Sequence, residues 1–476
     1  MEILFVAPEV APFSKTGGLG DVSAALPEAL VAHGHAVAVV SPRYGGIDPG
    51  RAGFEPRHRA VRVRGEPTTV HVRRTGRLVH YLVEHEHFFG GRRGLYGEHG
   101  HDYPDNAERF AYLCRAALAV PAALGHRPRI VHLNDWQTAL AAWLLRAEHA
   151  EDPAISAART VFTIHNLAYQ GVFRKELLPA LGLPWEVFRF DAMEFHDRLN
   201  LMKAGLVFAD ALTTVSPRYA AEIATPEGGE GLDPLLRHRR ADLHGILNGI
   251  DVRAWDPATD PALPAHFDLH RLAGKRACKE ALQREVGLPV RADVPVVAVV
   301  SRLVEQKGID LVLAALPELL RRELQLVVLG TGRHDWEGAL ARAAREHPHR
   351  LAVRLGFDEP LAHRIEAGAD VFLMPSRYEP CGLNQLYSLR YGTVPVVREV
   401  GGLADTVEDF DGWRRGTGFR FRDQEPKAML VALWRALELR RDRRAWHAMV
   451  RRGMAQDFSW GRSAARYEEL YDRLVG

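Results

Sequence analysis

Short apolar runs alternate along this chain with longer segments whose apolar residues recur every three or four positions. In the first half the runs at 3–7, 36–41, 78–83, 129–133, 161–164 and 211–215 read as strands. Helical periodicity occupies 22–33, 106–124, 137–149 and 199–209, and Gly34 falls where a helix C-terminal cap belongs. In the second half the strands fall at 294–300, 324–329, 352–355, 371–374 and 394–397, with helices in the gaps. Strand and helix alternate throughout. The expected fold class is therefore α/β, with doubly wound parallel sheets.

The periodicity breaks at Asn248-Gly249-Ile250-Asp251 and the Pro-rich stretch after Trp255-Asp256-Pro257, which marks a domain boundary. Residues 1–247 and 248–458 then each form a sheet domain, and their strand-end loops are candidates to line a common cleft. A length of 476 residues accommodates two such domains. A net charge of +2 gives no reason to expect a nucleic-acid or membrane partner. Cys114, Cys278 and Cys381 lie far apart, form no metal-ligand spacing, and fit a reducing compartment, so a cytoplasmic protein is expected. The first residues carry no basic leader, and no apolar run reaches the roughly 18 residues of a membrane span.

Three loops carry candidate chemistry. Lys15-Thr16-Gly17-Gly18-Leu19-Gly20-Asp21 joins the first strand to the first helix. Glycines let backbone N–H groups approach an anion there, and Lys15 adds a mobile charge. The lysine precedes the glycines, so the loop is not a Walker A motif, and it does not fit Gly-x-Gly-x-x-Gly. A glycine turn beside a surface lysine is the plain alternative. Only seven of the 62 basic residues are Lys, yet Lys15 and Lys307 both stand in glycine-containing loops. Arg302 and Lys307 share one strand-to-helix loop and can converge on a diphosphate, or can simply be solvated. Pro375 to Gln385 places Glu379 just ahead of a helix start, with the Gly382 and Leu383 N–H groups beside it. That carboxylate can serve a sugar, or can be a structural cap. His85-Glu86-His87 reads as a strand-end loop rather than a metal site.

Taken together, the Lys15–Asp21 loop, Thr163-Ile164-His165-Asn166-Leu167, Asn248-Gly249-Ile250-Asp251, Arg302 with Lys307-Gly308, Glu379-Pro380-Cys381-Gly382-Leu383 and Gly401-Gly402-Leu403-Ala404-Asp405-Thr406-Val407 resemble the successive signatures of bacterial glycogen synthases and plant starch synthases. The resemblance spans essentially the whole chain, to Phe458-Ser459-Trp460. It implies a GT-B fold of two Rossmann-like domains, with a last helix (459–476) crossing back onto the N-terminal domain. It implies a retaining transfer of glucose from ADP-glucose to the non-reducing-end O4 of an α-1,4-glucan such as glycogen, with no metal and no cofactor.

The same resemblance assigns donor contacts to Lys15, Gly17, Gly18, Asp21, Asn166, Asn248, Arg302, Lys307, Phe357, Cys381, Gly382 and Leu383. It assigns chemistry to Glu379, His165, Lys15, Arg302 and Lys307, and places Tyr96 and Asp135 on the acceptor side. Phe357 stands where family members often have a tyrosine stacked on adenine, and Asn384 replaces a threonine. Both departures leave UDP-glucose open as a donor. Another retaining GT-B enzyme, or a catalytically silent glucan-binding protein, are the remaining readings.

Overall fold

The apolar runs become the central strands of two sheets. The computed structural model describes residues 1–412 and 415–476. The chain divides into two units, Met1–Gly249 with Trp460–Gly476, and Ile250–Ser459.

In the first unit the strands of the main sheet are β1 (Glu2–Val6), β2 (Ala36–Pro42), β3 (Glu55–Val63), β4 (Glu66–Thr75), β5 (Leu78–Val83), β6 (Ile130–Asn134), β7 (Arg159–Ile164), β8 (Ala211–Thr214) and β9 (Leu243–Gly245). Their order across the sheet is β9-β8-β7-β6-β1-β2-β5-β4-β3. All neighbours run parallel from β9 to β5, whereas β4 and β3 add an antiparallel hairpin at the edge. Its helices include α1 (Gly18–Ala32), α2 (Asn106–Leu124), α3 (Trp136–Glu148) and α4 (Leu201–Phe208). Side chains alternate across a strand, so Ile3 and Phe5 of β1 and Val37 and Val39 of β2 share one face. That face is buried against Leu26 and Leu30 of α1 and against Trp460, Ala464, Tyr467 and Tyr471 of the C-terminal helix Trp460–Val475.

The second unit has β10 (Val296–Val300), β11 (Gln325–Gly330), β12 (Leu351–Leu355), β13 (Val371–Met374), β14 (Val394–Arg398) and β15 (Phe419–Phe421). They are all parallel, in the order β12-β11-β10-β13-β14-β15. Its helices include α5 (Ile309–Arg321), α6 (Asn384–Arg390) and α7 (Gly401–Thr406). Among the described residues no helix is long and apolar enough to cross a membrane.

The expected elements differ from these in two instructive ways. The first helix starts at Gly18 rather than Val22, so the glycine run is its first turn and Asp21 lies within it. The hairpin β3–β4, β9 and β15 carry no apolar run. Five of the nine β3 residues are exposed in a row, Glu55 to Arg59, and β15 is only three residues long.

Strand order fixes where ligands can bind. In each sheet the winding reverses between two central strands, β1 and β6 in one and β10 and β13 in the other. The loops that leave such a pair diverge and open a crevice at the carboxyl ends. Those four loops contain Lys15, Asp135, Arg302 with Lys307, and Glu379.

Candidate functional site

In the second unit the loop after β10 and the loop after β13 touch. Gly308 has φ +67° and packs against the Pro375 carbonyl so closely that a Cβ would collide with it. Arg377 N–H donates to the Gln306 carbonyl oxygen at 2.8 Å. The Arg377 guanidinium reaches Asp310 at 2.6 Å, and Asn384 donates to the Val300 carbonyl oxygen at 2.7 Å. These ties bring Lys307 Nζ to 2.6 Å from Glu379 Oε2. Ser376 donates to that same oxygen at 3.0 Å. The Glu379 residue is only 5% exposed, so its charge is held by an opposite charge and a hydroxyl rather than by water.

A third loop clamps the turn from outside. Gly401, at φ +41°, leaves no room for a Cβ against the Glu379 carbonyl oxygen. Gly402 N–H donates to that oxygen at 3.1 Å. The Gln385 amide, fully buried, donates to the Cys381 and Gly382 carbonyls at 3.0 Å and to Thr406 at 3.2 Å. The Gly-Gly motif therefore shapes the turn that carries the carboxylate.

Several expected details shift. The helix after Glu379 begins at Asn384, has seven residues, and follows Gly382 at φ +72°. Arg302 is exposed and turns to Gln306 of its own loop at 3.2 Å, while Lys307 faces Glu379, so the two cations do not converge in this structure. Cys381 is buried. Phe357, just after β12, is 84% exposed, an unusual state for a large apolar ring.

In the first unit Glu9 is buried and Asp135 and His165 are half-buried, and among the described residues none of these three has an ion-pair partner. Asp135 follows β6 with φ 56° and ψ 177°, a strained conformation outside glycine. Its Oδ1 accepts the His165 N–H at 2.7 Å. Burial pushes the Asp135 carboxyl up to about 7 and outweighs the N–H groups of His165 and Asn166 that favour its charge. His165 is pushed down to about 3 by burial alone, so it is neutral at pH 7.

Its tautomer follows from a neighbour. The Asn134 amide donates through Nδ2 to the Val6 carbonyl at 3.0 Å, so its Oδ1 faces His165 Nε2 at 2.9 Å. Nε2 carries the proton, which leaves Nδ1 as an acceptor.

Glu9 is 3% exposed and gathers the glycine loop. It accepts the Thr16 N–H and, at 3.0 Å each, the Thr16 and Tyr96 hydroxyls. Burial raises the carboxyl of Glu9, against the pull of these donors, and raises the Tyr96 hydroxyl well above its ordinary value. Lys15 pairs with Asp21 at 2.7 Å, both partly exposed. Gly17 caps α1 and Gly18 opens it. The Asn166 side chain accepts the Ala168 N–H at 3.1 Å. Asn248 is buried, and its Oδ1 has no partner among the described residues. His85 is committed to structure: it caps Phe88 N–H at 3.2 Å and stacks on the Phe88 ring.

Sequence reasoning did not single out Ser376, Arg377, Glu9 or Asn134. Ser376 and Arg377 lie inside the quoted loop, and Glu9 and Asn134 each sit at the end of an apolar run, which is the one signal they offer.

The starch synthase catalytic domain family matches residues 2–238, and glycosyl transferases group 1 matches residues 284–452. The glycogen synthase of Anaeromyxobacter sp. (strain Fw109-5) is 73% identical over 475 residues, covering 100% of both chains. The glycogen synthase of Myxococcus xanthus (strain DK1622) is 50% identical over 481 residues, again covering 100% of both. The catalytic domain of starch synthase IV from Arabidopsis thaliana, solved bound to ADP and acarbose, superposes with a TM-score of 0.90 at 36% identity, covering 99% of each chain.

Two Rossmann-like units with charged loops at their switch points, matched in this way, define a GT-B glycosyltransferase, a retaining hexosyltransferase. Within that class, the chain belongs to the family of bacterial glycogen synthases and plant starch synthases.

Proposed function

We propose that the protein transfers glucose from ADP-glucose to the non-reducing-end O4 of an α-1,4-glucan such as glycogen, with retention of configuration. The observation that carries this reading is the Lys307–Glu379 pair at the switch point of the second sheet. As the glucosyl group leaves, positive charge grows on the sugar and negative charge on the diphosphate. Glu379 answers the first, and Lys307, Arg302 and Lys15 answer the second. A phosphate oxygen of the leaving group takes the O4 proton as the new glycosidic bond forms on the same face, so no enzyme nucleophile is required.

Neutral His165, with a free Nδ1, suits a sugar hydroxyl, as do Asn166 and the turn from Cys381 to Leu383. Tyr96 and Asp135 are assigned to the acceptor glucan. Gly17, Gly18, Asp21 and Asn248 are assigned to the donor. The exposed ring of Phe357 offers a face for the adenine, and the ADP held by the Arabidopsis relative favours the same base. The reading uses no metal or cofactor. Free thiols at all three cysteines support a cytoplasmic setting.

The test is the initial rate on glycogen with ADP-glucose beside UDP-glucose. A clear excess with ADP-glucose is expected. A faster rate with UDP-glucose would overturn the donor assignment, and no transfer from either would leave the glucan-binding reading.

A further inference from the structure

Ser376 stands three residues before Glu379 in the loop after β13 and is 1% exposed. Its hydroxyl and the Lys307 ammonium both donate to Oε2 of Glu379, at 3.0 and 2.6 Å. Among the described residues none donates to Oε1. One carboxylate oxygen is thus held by the protein and the other is left to an occupant of the site.

The two donors differ in what else is asked of them. Lys307 is a flexible ammonium that, in the reading above, serves the leaving diphosphate. When it turns to a phosphate oxygen, Oε2 loses its charged partner. Ser376 has no such second task. Its backbone is braced on both sides, by Pro375 against Gly308 and by Arg377 N–H on the Gln306 carbonyl. A glutamate has three rotatable side-chain bonds, and a carboxylate with no donor is free to swing out of line.

We infer that Ser376 is a positioning residue that fixes the Glu379 carboxylate, presents Oε1 to the glucosyl group and keeps it there while Lys307 engages the diphosphate. This rests on the donor-site reading above. The plain alternative is a hydroxyl that only satisfies a buried loop. That role would change stability, whereas a positioning role changes turnover through Glu379 alone.

The test is a double-mutant cycle of Ser376→Ala with Glu379→Ala, read as kcat, donor KM, ADP inhibition and melting temperature. A hydrogen bond to a charged group is worth enough that Ser376→Ala is expected to lower kcat about tenfold. Donor KM and ADP inhibition should stay within about twofold. In the Glu379→Ala background the same change should cost less than about twofold, because the group it positions is gone. An equal loss in both backgrounds would overturn the proposal. So would a change confined to KM or to melting temperature. Glu379→Ala retaining wild-type kcat would instead overturn the donor-site reading itself.

Discussion

The two switch-point sites treat charge in opposite ways. In the second unit, Glu379 is buried but ion-paired with Lys307, and Arg302 stands exposed on the same loop as that lysine. In the first unit Glu9 is buried and His165 and Asp135 are half-buried, and among the described residues none of the three has an ion-pair partner. Their ionisation is pushed towards neutrality: His165 down to about 3, Asp135 up to about 7, and Glu9 upwards. A diphosphate needs groups that remain charged, because charge on the leaving group grows during transfer. Sugar hydroxyls need fixed donors and acceptors, and groups shifted towards their neutral forms provide these at a lower cost in unpaired charge. The same sheet architecture thus supports an ionic site and a hydrogen-bonding site, and the difference lies in whether a cation is placed within reach of the buried carboxylate.

The largest expected effect falls on the ionic site. Lys307→Ala and Arg302→Ala should each lower kcat by about 10² to 10³, the usual loss when one preorganised contact to developing charge is removed. Arg302→Lys should not recover fully, since a point charge lacks the guanidinium fork. Steady-state kinetics with both substrates varied would check this. A change confined to the glucan KM would place these cations on the acceptor side and erase the contrast.

Next comes the clamp. Gly401→Ala puts a Cβ against the Glu379 carbonyl at a left-handed φ. A displacement of about 1 Å at a reacting group commonly costs about 10²-fold, so a similar fall in kcat is expected. A normal kcat would show that the glycine loop does not set the carboxylate.

The hydrogen-bonding site is sharpened by pH. A carboxyl with a folded value near 7 and an unfolded value near 3.9 binds its proton more tightly when folded. Its contribution to stability is therefore present below about pH 4 and is lost as pH rises through about 7. His165 acts in the other direction, since its lowered folded value costs stability as pH falls below about 6.5. Asp135→Asn removes the first effect alone. The variant should gain melting temperature relative to wild type at pH 8 but much less at pH 5. An equal difference at both values would contradict a desolvated Asp135 whose charge has no ion-pair partner among the described residues.

The smallest effect concerns thiols. All three cysteines are buried, and burial pushes the Cys114 thiol up to about 12. Alkylation should be slow throughout, with Cys381 (4% exposed) reacting before Cys114 (0%) and slowed by ADP. Peptide mapping with and without ADP reads this, and equal labelling of Cys381 in both would remove its turn from the donor site.

The ionic site was far more legible in the sequence than the hydrogen-bonding one. Lys307 and Glu379 sit in short loops after strong apolar runs, each beside a glycine or proline, so type and position both stand out. Ser376 did not stand out, because a serine in such a loop has many uses and only the 3.0 Å contact selects this one. Glu9 and Asn134 were hidden for a related reason. Their partners, Tyr96 and His165, lie 87 and 31 residues away and meet them only through the strand order of the sheet. The polar hairpin β3–β4 leaves little mark in the sequence because it buries little apolar surface, and without burial the two-residue period is faint.

The most direct test of the account is Glu379→Ala, with kcat on glycogen measured beside the affinity for ADP. A fall in kcat of about 10² to 10³ is expected, with ADP affinity changed only a few-fold, because the carboxylate answers charge on the sugar and not the nucleotide. A variant that turns over near the wild-type rate, or one that loses ADP in proportion to its rate, would contradict it.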